Sequence, residues 1–367
     1  MKILYVCTTT DRGGAEMALQ RLALAAKNAG HTVKIISLKP LGVVGKQLKQ
    51  GGIDAVSLDV RGKFNPVQFA GALARLIEEI QAFSPDVVHA FLYRAIQLCR
   101  LAKKRVSFHL ITTPHYDVSK RNFLLRLWDR SLKNADDISC AESQSTLNYL
   151  KKKQKYSDEK LQLITNGVDT DFFAPNARVR EEVRSELGFS SEDTIFCCVA
   201  RLSKEKNHTT LLNAFAAVHI KHPQTRLLLV GDGPEKENLQ ALSREENIEK
   251  AVIWAGDVSD VKNYLLASDV FVLVSLEESL PLSLLEACSC GLPSIVSKVG
   301  DMPRVVQHGE TGFVCNGRDP IIISALMAQF LAVPQIQKQM GLAAREHIKT
   351  QYGAKEEIYL KIYTKFC

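Results

Sequence analysis

Short apolar runs alternate with helix-period segments along nearly the whole chain. In the first half the runs fall at residues 3–7, 32–38, 55–58, 86–91, 107–112, 137–141 and 161–165. Runs this short without polar alternation mark strands buried on both faces, as in a parallel sheet. Helical patterns at 15–28, 67–83 and 123–134 lie between them. The pattern restarts after Asn166-Gly-Val-Asp-Thr-Asp-Phe-Phe-Ala-Pro175, with strands expected at 194–200, 225–230, 251–255, 270–274, 293–297 and 312–315. The polar stretch 169–188 reads as a linker. The expectation is an α/β protein of two doubly wound, Rossmann-like domains facing a central cleft. The tail 352–367 reads as a helix with Ile358, Tyr359, Ile362 and Tyr363 on one face, although spacing does not say which domain it joins.

Composition supports this outline. A chain of 367 residues exceeds one typical domain. No apolar stretch approaches the roughly 20 residues that cross a bilayer. The N-terminal run Met1-Lys-Ile-Leu-Tyr-Val-Cys leads into a glycine turn rather than a cleavage site, so it reads as a strand and the protein as cytoplasmic. Nine cysteines lack zinc-ligand spacing and read as reduced core thiols.

Charge changes the picture. Residues 1–167 hold 26 Lys and Arg against 14 Asp and Glu, whereas residues 168–367 hold 21 against 26. The first half is therefore expected to face something anionic. Residues 94–133 alone hold ten cations and two acids. There Leu124, Leu125, Leu127 and Trp128 interleave with Arg121, Arg126 and Arg130. This is either a solvated helix with a core face or a basic amphipathic surface for anionic lipid headgroups, peripheral on the inner membrane face. Nothing resembles a nucleic-acid module.

The candidate chemistry gathers at strand ends, where open α/β sheets bind ligands. Glu278-Ser-Leu-Pro-Leu-Ser-Leu-Leu-Glu286 follows the run at 270–274. Pro281 suits the first turn of a helix, which places Glu278 on a loop and Glu286 on that helix. A helix start there favours an anion. Arg201 and Lys206, in Ala200-Arg-Leu-Ser-Lys-Glu-Lys-Asn207, are either a solvated basic loop or a grip for a diphosphate. Gly231, in Gly231-Asp-Gly-Pro234, ends another strand on the same edge, as a turn or a phosphate contact. Gly13 and Gly14, in Asp11-Arg-Gly-Gly-Ala-Glu16, open the first helix; the spacing is neither Gly-x-Gly-x-x-Gly nor a P-loop. His115 and His89 both fall at or near strand ends, as structural or as functional groups.

Together these residues resemble the retaining glycosyltransferases of family 4, also called glycosyl transferases group 1, which have the GT-B fold. The likeness rests on Gly13-Gly-Ala-Glu16, Asp86-Val-Val-His89, Asn166-Gly-Val-Asp169, Ala200–Asn207, Val230-Gly-Asp-Gly-Pro234, Glu278-x7-Glu286 and His308-Gly-Glu-Thr-Gly-Phe-Val314, in the family's order. The resemblance implies an acceptor-binding domain of residues 1–168 plus the C-terminal helix 352–367, and a donor-binding domain of residues 169–351. It implies a nucleotide-diphosphate sugar as substrate, such as a UDP-sugar or GDP-sugar, with no cofactor and no metal. Arg201 and Lys206 match the diphosphate grip, Glu286 the ribose carboxylate and Glu278 the group facing the sugar. Backbone around Leu280, Pro281, Leu282 and Ser283 matches the sugar and phosphate contacts. Gly13 and Gly14 match the phosphate loop, and His115 the position near sugar and acceptor.

The implied activity is retaining, metal-independent transfer of a hexosyl-like group, with same-face attack and the donor phosphate taking the acceptor's proton. A basic first domain fits a glycolipid, polysaccharide or lipopolysaccharide intermediate as acceptor. Ser279 stands where many members have Gly, which leaves the sugar open. Asp11-Arg-Gly-Gly14 replaces the Lys-x-Gly-Gly of glucan synthases and argues against that activity. No Asp-x-Asp motif lies at a strand end. The competing readings are a nucleotide-sugar 2-epimerase on the same architecture and a non-catalytic nucleotide- or sugar-binding protein.

Overall fold

The structure, a computed structural model, describes residues 1–62, 65–115, 122–258 and 260–366. Two compact units make up the chain: Met1–Asn166 with Lys355–Cys367, and Gly167–Ala354. The chain crosses between the units at 166/167 and 354/355, where the resemblance implied 168/169 and 351/352. At the return crossing Val168 N–H donates to the Tyr352 carbonyl at 2.9 Å.

Unit 1 carries the strands β1 (Lys2–Cys7), β2 (Thr32–Ser37), β3 (Asp54–Ser57), β4 (Val87–Phe91), β5 (His109–Thr113), β6 (Ile138–Ala141) and β7 (Leu161–Leu163). They form one parallel sheet in the order β3-β2-β1-β4-β5-β6-β7. Alternate residues of β1 serve opposite cores. Ile3, Tyr5 and Cys7 pack with Leu19, Leu22 and Ala26 of the helix Gly14–Asn28. Leu4 and Val6 pack with Leu76 and Ile80 of the helix Pro66–Phe83. Burial on both faces is why the strands read as unbroken apolar runs. The C-terminal helix Glu356–Tyr363 joins the first of these cores through Ile362 and Tyr363. Each large side chain so buried contributes about 1.5–3 kcal/mol.

A buried ionic cluster locks the far side of unit 1. Arg100 Nε and Nη2 donate to the two oxygens of Asp136, each at 2.8 Å, and Nη1 donates to Asp129 Oδ1 at 2.6 Å. Tyr156 Oη donates to Asp136 Oδ2 at 2.7 Å, and Thr112 Oγ1 donates to the same oxygen at 2.9 Å. The cluster ties the helices Tyr93–Ala102 and Phe123–Leu132 to β5 and β6.

Unit 2 carries β8 (Thr194–Val199), β9 (Thr225–Val230), β10 (Val252–Gly256), β11 (Val270–Leu273), β12 (Ser294–Ser297) and β13 (Gly312–Cys315). The sheet is parallel, in the order β10-β9-β8-β11-β12-β13. The order reverses between β8 and β11, so the switch point of this sheet lies between their carboxyl ends. The stretch expected as a linker contains a docked helix, Ala177–Glu186, capped by Asn176, whose side chain accepts from Val179 N–H at 3.1 Å. Arg180 pairs with Asp269 at 2.6 Å, and Arg184 reaches the same carboxylate at 3.3 Å and the Ala267 carbonyl at 3.1 Å. Polar side chains do the docking here, so the segment shows no apolar helical stripe.

The eight described cysteines are all free and buried. Among the described residues no single helix is long and apolar enough to cross a membrane. The helices Pro320–Ala332 and Pro334–Gln351 reach that length and apolarity only together, across a bend of 103°.

Candidate functional site

The loops after β8 and β11 meet at the switch point of unit 2. After β8 the chain forms a short 3-10 turn, Lys204–Lys206, and then Asn207 at φ 59° before the helix His208–His219. Asparagine tolerates that left-handed backbone. Its side-chain amide donates to the Val274 carbonyl at 3.1 Å and to the Gly317 carbonyl at 2.7 Å. Leu276 N–H donates to the Glu205 carbonyl at 2.8 Å. These bonds fasten the first loop to the second.

The fastening brings Lys206 to Glu278. Lys206 Nζ donates to Glu278 Oε1 as an ion pair, and Ser275 Oγ donates to the same oxygen at 3.0 Å. The Glu278 side chain is 10% exposed and that of Lys206 21%, so the pair is largely shielded from water. Arg201 lies on the same loop with an exposed side chain and no ion-pair partner among the described residues. The two cations assigned to one role thus differ: Lys206 is paired and Arg201 is open to solvent.

Glycines set the backbone around these groups. Gly300 has φ 55°, and a Cβ there would lie 2.4 Å from the Glu278 carbonyl oxygen and 2.5 Å from that of Ser279. Asp301 N–H donates to the Ser279 carbonyl at 2.8 Å, which closes this clamp on the Glu278 loop. Gly231 has φ 135°, and its Cβ would lie 2.1 Å from the Ala200 carbonyl oxygen. Gly231 therefore supports the loop bearing Arg201 by close backbone approach.

The helix Leu282–Ser289 starts one residue after Pro281, which is its N-cap rather than part of its first turn. No side chain caps it. Leu280 and Leu282 are buried, and the Ser283 side chain is half-buried. Glu286 is 9% exposed on this helix. Beside Ser275 a pocket of about 480 Å³ opens at the carboxyl ends of β11, β12 and β13, with Lys298, Asn316 and Arg318 in its lining.

In unit 1 the carboxyl edge carries its own features. Gly13 is the N-cap of the helix Gly14–Asn28, and a Cβ on Gly14 would meet no heavy atom within 4 Å. Glu16, on the first turn, is 7% exposed, and burial pushes its carboxyl up to about 7. The motif contains this residue, yet nothing in its spacing shows that it is a buried acid. His115 follows β5 at φ 51°, with Nε2 buried and without a hydrogen-bond partner among the described residues. Burial, and next the Arg21 cation, hold its imidazole down to about 3, so it is neutral. Left-handed backbone and an orphaned nitrogen in one histidine carry a cost that marks functional positions.

Several expectations are corrected. His89 is not at a strand end; it is central in β4, fully buried, with both ring nitrogens bonded. Trp128 is not an outward residue: it packs at 5.8 Å from Phe69 and 6.2 Å from Tyr93. The apolar residues turned outward on that helix are Phe123, Leu124 and Leu127, at 63%, 71% and 46% exposure, with Arg130 also exposed and Arg126 half-buried. Arg121 lies outside the described residues. Asp169-Thr-Asp171 forms a turn in which Asp169 Oδ1 accepts from Asp171 N–H at 3.1 Å and Phe172 N–H at 2.9 Å. Among the described residues no group of three or more His, Cys, Asp or Glu converges as a metal site.

Two family models match the chain in sequence order: Glycosyltransferase Family 4 over residues 12–172 and Glycosyl transferases group 1 over residues 179–347. N-acetyl-alpha-D-glucosaminyl L-malate synthase of Bacillus anthracis is 29% identical over 303 residues, spanning 79% of this chain and 77% of that protein. D-inositol 3-phosphate glycosyltransferase of Corynebacterium jeikeium is 23% identical over 388 residues, spanning 97% and 92%. Anabaena HepE in complex with UDP and glucose superposes with a TM-score of 0.88 at 21% identity, over 100% of this chain and 99% of that one. WaaG, a glycosyltransferase involved in lipopolysaccharide biosynthesis, superposes with a TM-score of 0.80 at 16% identity, over 99% and 100%. The two parallel, doubly wound sheets are those of the GT-B fold, and the chain belongs to the family 4 glycosyltransferases of group 1.

Proposed function

We propose that this glycosyltransferase moves a sugar, with retention, from a nucleotide-diphosphate donor to a glycolipid or polysaccharide intermediate. The observation that carries this reading is the loop pair at the switch point of unit 2, where Lys206 meets Glu278 and the exposed Arg201 stands on the same loop as Lys206. Breaking the bond from the anomeric carbon to a diphosphate oxygen leaves charge on that oxygen. Arg201, Lys206 and the uncapped start of the helix Leu282–Ser289 offer donors for it. Glu278 orients the sugar hydroxyls and Glu286 takes the ribose hydroxyls, so the two carboxylates hold different parts of one donor. Backbone from Leu280 to Ser283 and the Gly231 turn complete the donor contacts.

Lys206 neutralises Glu278, and a donor diphosphate competes for that cation. Gly13 and Gly14 serve as the phosphate loop of unit 1, and His115 as the group near sugar and acceptor. The acceptor's proton goes to the donor phosphate, so neither a metal nor a protein base is required. Relatives differ in donor: HepE forms a complex with UDP-glucose, and a mycobacterial relative is a GDP-mannose-dependent mannosyltransferase. Either base therefore fits the reading. The exposed Phe123, Leu124 and Leu127 beside Arg130 support docking on anionic lipid at the cytoplasmic membrane face.

Release of nucleoside diphosphate from UDP-, GDP- and ADP-sugars, with and without membrane lipid extract, tests the function. One base class should be turned over, faster with extract. No turnover and no binding of any of the three would overturn the reading.

A further inference from the structure

We propose that Tyr363, at the end of the C-terminal helix, is a positioning residue for His115. The inference rests on the reading of His115 as a group that meets the substrate. Two routes join the residues, both inside unit 1. The first is polar. Tyr363 Oη lies 2.6 Å from His89 Nδ1, and His89 Nε2 lies 2.8 Å from Thr113 Oγ1. Thr113 is the last residue of β5, two positions before His115. The second route is a ring stack. His89 lies 4.2 Å from Phe91 between ring centroids, and Phe91 lies 5.6 Å from His115 with planes 19° apart.

The chemistry requires both ends of the polar route. His89 is fully buried and burial holds its imidazole neutral, so its ring has one donor and one acceptor nitrogen. One of the two hydroxyls must donate to it and the other must accept. Removing Tyr363 Oη leaves a buried nitrogen unpaired and takes one of the two polar anchors from the His89 ring, which lies 4.2 Å from Phe91. The His115 backbone is at φ 51°, its Nε2 has no hydrogen-bond partner among the described residues, and Phe91 stacks on its ring. Leu92, after β4, is also left-handed at φ 67°, and its N–H donates to the Thr113 carbonyl at 3.4 Å. Strained backbone persists only where neighbours over-determine it, and here His89 and Phe91 provide that support.

The same helix acts on His115 electrostatically. Glu356, at its start, pairs with Arg21 at 3.0 Å, and Arg21 is the cation that adds to the lowering of the His115 imidazole. The C-terminal segment therefore reaches His115 through two intermediaries, His89 and Arg21.

The test is a double-mutant cycle with a spectroscopic arm. Turnover is release of UDP or GDP from whichever of UDP-glucose and GDP-mannose binds. Tyr363→Phe keeps the ring and should fold. It should lower kcat about 10-fold while donor KM moves less than about 2-fold, and in a His115→Ala background it should have no further effect. An equal loss in both backgrounds would overturn the proposal, because the hydroxyl would then act on the fold alone. In the full chain, the His115 Cε1–H resonance should shift in Tyr363→Phe and in Thr113→Val, and stay in place in Tyr352→Phe. An unmoved resonance in the first two variants would also overturn it. If His115→Ala retains full turnover, the substrate role of His115 falls, and the resonance arm still decides whether Tyr363 positions it.

Discussion

An exposed guanidinium on a loop adds little to folding, so Arg201 separates chemistry from stability. Arg201→Ala should lower turnover about 100-fold or more, the usual cost of losing one preorganised donor to developing charge, and leave Tm within a few degrees. Unchanged turnover in a steady-state assay would remove the residue from the donor grip. Asp136→Asn is the opposite case, since it leaves Arg100 buried without its bidentate partner. It should destabilise unit 1 by about 3–5 kcal/mol, read by denaturant unfolding. Glu16 gives a pH test. Its folded-state value of about 7 lies above that of an unfolded carboxyl, so the folded state holds the proton longer and loses stability as pH rises from about 4.5 to about 7. Glu16→Gln should remove that decline, worth at most about 3 kcal/mol, in unfolding curves at about pH 5 and pH 8. Glu278 and Arg201, the proposed donor groups, stood out in the sequence by residue type and by their place after a strand. Gly300 and Asn207 were not, because they act through backbone approach and carbonyl bonds to loops distant in the chain.

Among the elements, the thirteen described strands were legible because burial on both faces erases polar alternation. The helix Ala177–Glu186 was not, because arginines dock it in place of an apolar stripe. The loop after β11 is held by Gly300 as well as by its own Ser275 and Leu276. Gly300→Ala should push Glu278 and Ser279 aside and weaken donor binding about 10-fold or more while the sheet stays folded. Titration calorimetry set beside circular dichroism checks both halves of that expectation. The outward face of Phe123–Leu132 makes a separate prediction. Replacing Phe123, Leu124 and Leu127 with Ser should abolish sedimentation with anionic vesicles at low salt and leave donor turnover in solution unchanged. Trp128 should be excluded from that set, because its loss opens the core beside Phe69 and Tyr93.

For the whole molecule, each sheet has its switch point at a different sequence position but with the same logic: the ligand edge is where the strand order reverses. In unit 2 that point lies between β8 and β11, and the candidate donor groups stand on the loops that leave those two strands. Sequence reading placed these groups after strands along the chain and by residue type, but the sheet order that brings the two loops together came only with the structure; the sugar, the base and the acceptor depend on pocket shape, which spacing does not encode. The central claim is that those two loops hold a nucleotide-diphosphate sugar. The most direct measurement is calorimetric titration of the wild type and Arg201→Ala with UDP-glucose and GDP-mannose. The account predicts saturable binding of at least one donor by the wild type and a loss of about 100-fold in affinity in the variant. Binding of neither donor, or equal affinity in both proteins, would contradict it.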